Sequence, residues 1–352
     1  MTSDEALKLF TDGDLLELGR QADAIRKKKF GNMTTFIIDR NINYTNVCKN
    51  ECKFCAFWRR KNQSGSYLLS HEEILEKVRE TCAAGGTQVM IQGGLHPDLD
   101  LNYYEEMLRL IKKNFDITIH SFTATEIQHF ANCAGLTILE TLKRLQAAGL
   151  DSLPGGGAEI LVDEVRKKIS PKKIMTDDWL NVMRVAHSIG MKSTATMVIG
   201  FGETLSQRLE HMEKIRNLQN ETGGFRAFIT WTYQPSKILG GQKVSAQDYM
   251  KTLALTRIFM DNVEHIQGSW VTQGERIGQL TQTFGADDLG SIMLEENVVR
   301  AAGTSFEMST NKMINLIRSA GKIPAQRNTK YEVIGVRGQD SGKIPLSPNP
   351  DS

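Results

Sequence analysis

Neither charge nor hydrophobicity is concentrated in any part of this chain, and each absence excludes a class of function. Its 352 residues carry 43 Lys+Arg against 41 Asp+Glu, a formal net charge of +2. With neither sign in excess there is no general pull toward nucleic acid or an anionic membrane, and neither is expected as a partner. No apolar run approaches the ~20 residues that span a bilayer. The opening Met-Thr-Ser-Asp-Glu has no basic segment leading into an apolar core, so a cytoplasmic rather than a secreted protein is expected. Low-complexity tracts, long Gly, Ser or Pro linkers and short repeats of fixed length are missing as well. Cysteine is scarce, and its count of five is odd, which speaks against a disulfide framework. What remains, 40% apolar and 24% charged residues, is the ordinary composition of a globular protein.

The order of local patterns is more informative. A helical stretch over about 4–29 is followed by a first strand at Thr34–Asp39. Residues 71–84 put Ile74, Leu75, Val78 and Cys82 on one face of a helix, Gly85-Gly86 ends it, and a buried strand follows at Thr87–Gln92. The unit then repeats: helix 102–113 before strand 116–122, helix 137–148 before 150–154, helix 176–189 before 191–199, helix 204–220 before 225–231, and helix 246–262 before 264–270. A weaker last unit has helix 273–284, a strand near Gly290–Leu294 and helix 310–320.

Strands alternating with helices of this length imply parallel pairing, because a parallel pair needs a crossover. About eight such units predict an α/β fold, a (β/α)8 TIM-type barrel or a partial six-unit barrel with extensions. A doubly wound open sheet would carry a Gly-rich phosphate loop after its first strand, and here that place holds cysteines. The barrel is expected over 34–336 with a C-terminal extension, after a helical extension over 1–33 and before a disordered tail over 337–352. Its chemistry would sit at the C-terminal ends of the strands.

Three of the cysteines, Cys48, Cys52 and Cys55, fall within eight residues of the loop after the first strand, in the spacing Cys-x3-Cys-x2-Cys. A structural zinc site needs four ligands, and no fourth is near; His71 comes sixteen residues after Cys55. Cys82 lies on the apolar face of a helix and Cys133 in a separate segment, so both read as buried thiols. Three thiolates suit a cubane iron–sulfur cluster with one iron left open, whereas a cluster serving only electron transfer is usually capped at every iron. An open iron wants an exogenous chelating ligand, and Phe54, next to Cys55, can shield the cluster from water.

This triplet, with an aromatic residue before its last cysteine, in the loop after the first strand of a βα barrel, resembles the radical S-adenosylmethionine superfamily. The resemblance implies that Cys48, Cys52 and Cys55 hold a [4Fe-4S] cluster. The open iron would chelate S-adenosyl-L-methionine, and cleavage of that sulfonium would release a 5′-deoxyadenosyl radical. It also implies that Gly93 and Gly94, at the end of the second strand, offer backbone groups to the methionine amine, although Leu95 stands where an acidic residue is usual. In Pro154-Gly155-Gly156-Gly157-Ala158-Glu159, the glycines let backbone lie against a ligand, and Glu159 would accept from ribose hydroxyls. A carboxylate at a helix N-terminus is the plainer reading of Glu159. Gly200, in Val198-Ile199-Gly200-Phe201-Gly202-Glu203-Thr204, resembles the Gly-rich segment that packs near the adenine.

His96 and His120 lie at or just past strand ends and would point into the barrel mouth. The segments Thr230-Trp231-Thr232-Tyr233-Gln234-Pro235 and Trp270-Val271-Thr272-Gln273 end two strands with aromatic and polar side chains together, which suits a flat, oxygen-rich substrate.

Asn41–Cys48, Ile91–Pro97 and Asp151–Glu159 are similar to a subgroup that contains two menaquinone enzymes of the futalosine route and the deazaflavin-forming synthases. Within it, Glu221–Phe225, Trp231–Pro235, Ser269–Gly274, Glu295–Val299 and Ile323–Asn328 resemble the cyclising branch. The resemblance then implies dehypoxanthine futalosine as substrate, hydrogen abstraction from its ribose C4′, addition of the carbon radical to the benzoate ring, and loss of an electron and a proton. A flavodoxin- or ferredoxin-type reductant is implied as partner. His96, Glu159 and Tyr233 are the candidate bases, and Arg208 and Arg226 the candidate cations for the substrate carboxylate. Aminofutalosine synthase and deazaflavin synthase are the enzymatic alternatives, and an iron–sulfur carrier or redox sensor the non-enzymatic one.

Overall fold

The computed structural model describes residues 1–236, 238–303 and 306–336; the tail expected to be disordered lies outside them. The strands are β1 (Met33–Ile37), β2 (Asp39–Ile42), β3 (Gln88–Ile91), β4 (Thr118–Ser121), β5 (Ser152–Leu153), β6 (Lys192–Ile199), β7 (Phe225–Thr232), β8 (His265–Gln267), β9 (Asp288–Ser291), β10 (Ile323–Arg327) and β11 (Val333–Val336). The helices are α1 (Ser3–Asp12), α2 (Leu15–Phe30), α3 (His71–Ala83), α4 (Leu101–Asn114), α5 (Ala124–Ala134), α6 (Ile138–Ala148), α7 (Asp163–Ile169), α8 (Thr176–Ser188), α9 (Leu205–Thr222), α10 (Ala246–Phe259), α11 (Glu275–Thr281), α12 (Val298–Ala301) and α13 (Thr310–Ser319).

From β2 through β9 every neighbouring pair runs parallel, in chain order. The expected first strand is a run over 33–42 with a break at Ile38, and it bonds on both edges. On one edge Thr35 N donates to Asp287 O, and Ile37 O and Asp39 O accept from Ile292 N and Leu294 N. On the other, Ile38 O and Ile42 O accept from Thr87 N and Gln92 N. Odd and even residues of a strand bond to opposite sides, so this run joins β9 to β3 and closes the ring. The barrel is complete rather than a six-unit arc.

Helix starts carry the sequence signals that place them. Ser70/Glu73, Thr123/Glu126, Thr137/Glu140 and Thr204/Gln207 form reciprocal capping boxes at α3, α5, α6 and α9. The expected helix over 4–29 is two helices. Gly13 caps α1 through its N–H to Leu9 O, and the Asp14 side chain caps α2 by accepting from Glu17 N.

Helix α5 is not among the elements expected from the sequence: its buried face mixes the apolar Ala124, Ile127 and Phe130 with Thr125, Glu126 and His129, which weakens the stripe. The seven-residue α7 and the pair β10–β11 were likewise not expected. Strand β10 runs parallel to β1, and the turn beyond it closes the N-terminal end of the barrel. There the Tyr331 ring lies under the Arg327 guanidinium, 3.8 Å away, and is stacked at 3.9 Å on His265 of β8. No helix among the described residues is long and apolar enough to cross a membrane.

Candidate active site

With its N-terminal end plugged, the barrel encloses a shaft of about 330 Å³ that reaches from Phe54 and Cys55 at the C-terminal mouth to Arg226, Arg327 and Tyr331 at the floor. Gln88, Met90 and Gln92 of the β3 segment all line it. At ~3.3 Å per residue those four steps alone span ~13 Å of depth. Trp231 and Trp270 supply apolar wall.

The cysteine loop is held by the protein's own backbone. Cys48 N donates to Arg59 O at 3.0 Å, Lys49 N to Leu95 O at 3.2 Å, Lys53 N to Ile169 O at 3.0 Å and Cys55 N to Cys52 O at 3.2 Å. The Trp58 indole donates to Cys52 O at 3.1 Å and the Ser236 hydroxyl to Lys53 O at 2.9 Å. All three thiols are free; Cys52 is buried and the other two half-buried. Burial pushes the Cys52 thiol up to about 12 and raises that of Cys55, each thiolate further disfavouring its neighbours.

Such thiols ionise only with a cationic partner. Among the described residues no three His, Cys, Asp or Glu side chains converge as a single metal ion requires. A cubane spreads its thiolates over a larger body, and the three sulfurs of one loop fit it.

Beside the thiols, Glu159 adopts a positive φ of 41° and faces the shaft. Its Oε1 lies 2.8 Å from Lys173 Nζ and its Oε2, 3.7 Å from Arg166, is buried without a hydrogen bond. Lys173 holds its proton more tightly than usual because Glu159 and Cys52 outweigh the cost of its burial. Phe54, Phe201 and Tyr233 form an aromatic row, with ring centroids 5.4 and 4.8 Å apart.

Deeper in the shaft the lining turns polar. Asp39 Oδ2 accepts from Gln88 Nε2 at 2.6 Å while Oδ1 is buried without a partner. Asn41, two residues on and so on the same strand face, donates to Glu296 Oε2 at 3.1 Å. His120 Nδ1 is 2.7 Å from Ser152 Oγ, and burial beside Arg226 and Arg327 drops the imidazole to about 3. Arg327 forms a two-pronged pair with Asp288 at 2.6 and 2.9 Å. Arg226 points inward because it is the extra residue of a β-bulge: Ser193 opposes Phe225 and Thr194 opposes Ala227. Among the described residues its side chain donates one hydrogen bond, to Thr329 O at 3.2 Å.

Several expected residues are placed elsewhere. His96 is behind the barrel wall, where its Nδ1 accepts from Asp98 N at 3.2 Å; it does not reach the shaft. Gly93 and Gly94 do not line it either. Their N–H groups donate to Glu126 Oε1 and Thr45 O at 2.9 Å each. A Cβ on Gly94 would stand 2.2 Å from Val47 O and 2.9 Å from Cys48 Cβ, so the glycine lets the β3 end press against the cysteine loop. Gly200 lies under the rim with a φ of 108°, and its N–H donates to Glu203.

Tyr233 faces the shaft, but its hydroxyl accepts from Ser236 N at 2.7 Å and donates to Gly240 O at 3.1 Å. Arg208 is withdrawn from the shaft altogether, clamped between Glu203 and Asp248 beneath Phe10. Cys133, expected to be buried, is exposed, and Cys82 is half-buried. Asp39, Gln88, Lys173 and Glu296 were not singled out in advance; the available signal was the alternation Asp39-Arg40-Asn41-Ile42-Asn43, polar at every second place of a buried strand.

Residues 42–215 match the profile of the radical SAM superfamily, and residues 222–339 that of the CofH/MqnC C-terminal region. The chain is 48% identical over 339 residues to the cyclic dehypoxanthine futalosine synthase of Streptomyces coelicolor, covering 94% of this chain and 85% of that one. It is 45% identical over 338 residues to the enzyme of the same name from Halalkalibacterium halodurans, covering 95% and 91%. In fold it is similar to the FeFe-hydrogenase maturase HydG from Carboxydothermus hydrogenoformans, with a TM-score of 0.75 at 19% identity, over 94% of this chain and 77% of that one.

Proposed function

The chain belongs to the radical SAM superfamily, in the group carrying the CofH/MqnC C-terminal region, and from that premise we propose that it cyclises dehypoxanthine futalosine in menaquinone biosynthesis. The observation that carries this reading is the near-full-length similarity to two enzymes of that name, joined to a loop of three free thiols that opens through Cys55 onto a shaft with a cationic floor. Cys48, Cys52 and Cys55 would hold the [4Fe-4S] cluster. With S-adenosyl-L-methionine bound, that cluster supplies the 5′-deoxyadenosyl radical.

The remaining work falls to the chain. The row Phe54–Phe201–Tyr233 gives a flat nucleoside an aromatic wall and keeps water from the radical. Glu159 Oε2, buried and short of a hydrogen bond, is an acceptor for ribose hydroxyls. Arg226, with one hydrogen bond used, is the cation for the benzoate carboxylate, which would point the ring down the shaft and the ribose up toward the thiols. Holding those two ends apart along one axis is what sets the ribose carbon against the radical.

Exposed Lys49, Lys53, Arg60 and Lys172 surround the cysteine loop and suit an acidic flavodoxin- or ferredoxin-type reductant. A cytoplasmic location belongs to the same reading, since all five cysteines are free. The test is anaerobic: the reduced, reconstituted protein is given S-adenosylmethionine and dehypoxanthine futalosine. A product lighter than the substrate by two hydrogens, with stoichiometric 5′-deoxyadenosine, is expected. Deoxyadenosine without that product would overturn the substrate.

A further inference from the structure

Closing the new carbon–carbon bond leaves the benzoate ring with one hydrogen too many, and the bases expected from the sequence do not serve. His96 is outside the shaft. The Tyr233 hydroxyl is held by Ser236 and Gly240, and Glu159 is tied to Lys173. His120 faces the shaft, but burial, with the charges of Arg226 and Arg327, disfavours a second proton on its ring. Glu296 spends its Oε1 on Val298 N and Val299 N, at 2.8 and 2.9 Å, and its Oε2 on Asn41. Asp39 is different: it lines the shaft, its Oδ2 is fixed by Gln88, and its Oδ1 is buried with no hydrogen bond among the described residues.

We propose that Asp39 is the proton acceptor that restores aromaticity to the ring, with Gln88 as the positioning residue that turns its free oxygen into the shaft. This rests on the cyclase reading above. In that step the ribose C4′ radical adds to the ring, the bond forming from its unpaired electron and one π electron. The cyclohexadienyl radical that results then gives its ring proton to the Asp39 carboxylate and its electron to a one-electron acceptor of the iron–sulfur class.

The electrostatic surroundings suit the task. Burial and the neighbouring Glu296 push Asp39 up to about 6, while the Gln88 hydrogen bond, the nearby Ser291 hydroxyl and the charge of Arg327 limit the rise. His120, facing from β4, is neutral and adds no opposing charge. A base with that affinity is ionised at neutral pH yet strong enough to hold a proton it accepts.

The test compares wild type, Asp39→Asn and Asp39→Glu, all with full iron content, in single turnovers that quantify both deoxyadenosine and cyclised product. Asp39→Asn is expected to keep cleavage of S-adenosylmethionine while its ratio of product to deoxyadenosine falls ~100-fold or more, the usual worth of a general base. Asp39→Glu should recover part of that ratio, and the wild-type product yield should fall as pH drops through about 6. If Asp39→Asn does not retain its cluster, Asp39→Ser is read in the same two quantities. A wild-type ratio in the Asn or Ser variant, with the wild type making product, overturns the role of Asp39 and leaves the cyclase reading standing. A wild type that cleaves S-adenosylmethionine but makes no cyclised product overturns the reading and this role together.

Discussion

Glu159 and Lys173 meet at 2.8 Å, and the lysine ammonium also lies 5.5 Å from the centroid of the Phe54 ring. Glu159 lines the shaft together with Cys55, and the charge of Lys173 acts on both Cys52 and Glu159. Removing one partner of a buried pair costs up to about 3–5 kcal/mol, and with Arg166 still 3.7 Å from Glu159 the lower end of that range is expected. Lys173→Met should therefore lower unfolding stability by about that amount in urea melts, whereas exposed Lys172→Met should change it by under about 1 kcal/mol. Equal melts for the two variants would show that the Glu159–Lys173 pair is not coupled.

The contact between the two loops at the mouth can be probed sterically. In Gly94→Ala the new methyl has to displace Val47 O or Cys48 Cβ, and neither is the free end of a side chain. We expect iron bound per chain after reconstitution to fall well below wild type while far-UV circular dichroism is kept. Full iron content in that variant would mean that the loop shifts without cost.

Arg226 and Arg208 separate binding from stability. A charged hydrogen bond is worth about 1.5–3 kcal/mol, so Arg226→Met should raise KM for the substrate ~10- to 100-fold and leave deoxyadenosine formation intact. Among the described residues the Arg208 guanidinium is held by Glu203, Asp248 and Thr252 and lies over the Phe10 ring. Its loss should lower the melting temperature with KM unchanged. The reverse pattern would exchange their roles.

Asp39 also makes a prediction about folding. Its affinity for protons is raised in the folded state, to about 6 from 3.8. Below pH 3.8 both states are protonated and the group is neutral to stability. Stability falls as pH rises from there to 6, and above that the folded protein carries the whole penalty, about 3 kcal/mol at 1.36 kcal/mol per pH unit. Asp39→Asn should therefore be more stable than wild type at pH 8 and no more stable at pH 4, measured by equilibrium unfolding. A gain of equal size at both values would trace it to something other than ionisation.

Which parts of the molecule could be read in advance follows from how each signal arises. Cys48, Cys52 and Cys55 announce themselves because one loop carries all three, and no tertiary information is needed to see it. The helices α3, α4, α6 and α8 each have an apolar stripe, and their expected bounds fall within a residue or so of the observed ones. Barrel closure was visible only as a count of units; that it happens through a run bonded on both edges at Ile38 is a property of pairing. Arg226 is a candidate cation from the sequence, but the bulge that turns it inward depends on register with β6. Lys173 and Glu159 are fourteen residues apart in the chain and come together only through α7 and its flanking turns. His96 was expected in the mouth because it follows a strand end, yet the Gly93-Gly94 turn, tied to Glu126 and Thr45, carries it behind the wall.

In the proposed reaction the ribose C4′ hydrogen is taken by the deoxyadenosyl radical inside this shaft. Substrate deuterated at that single position, turned over anaerobically, tests it most directly. One deuterium is expected in the 5′-deoxyadenosine recovered, and none in the product. Deoxyadenosine free of deuterium, formed alongside cyclised product, would contradict it.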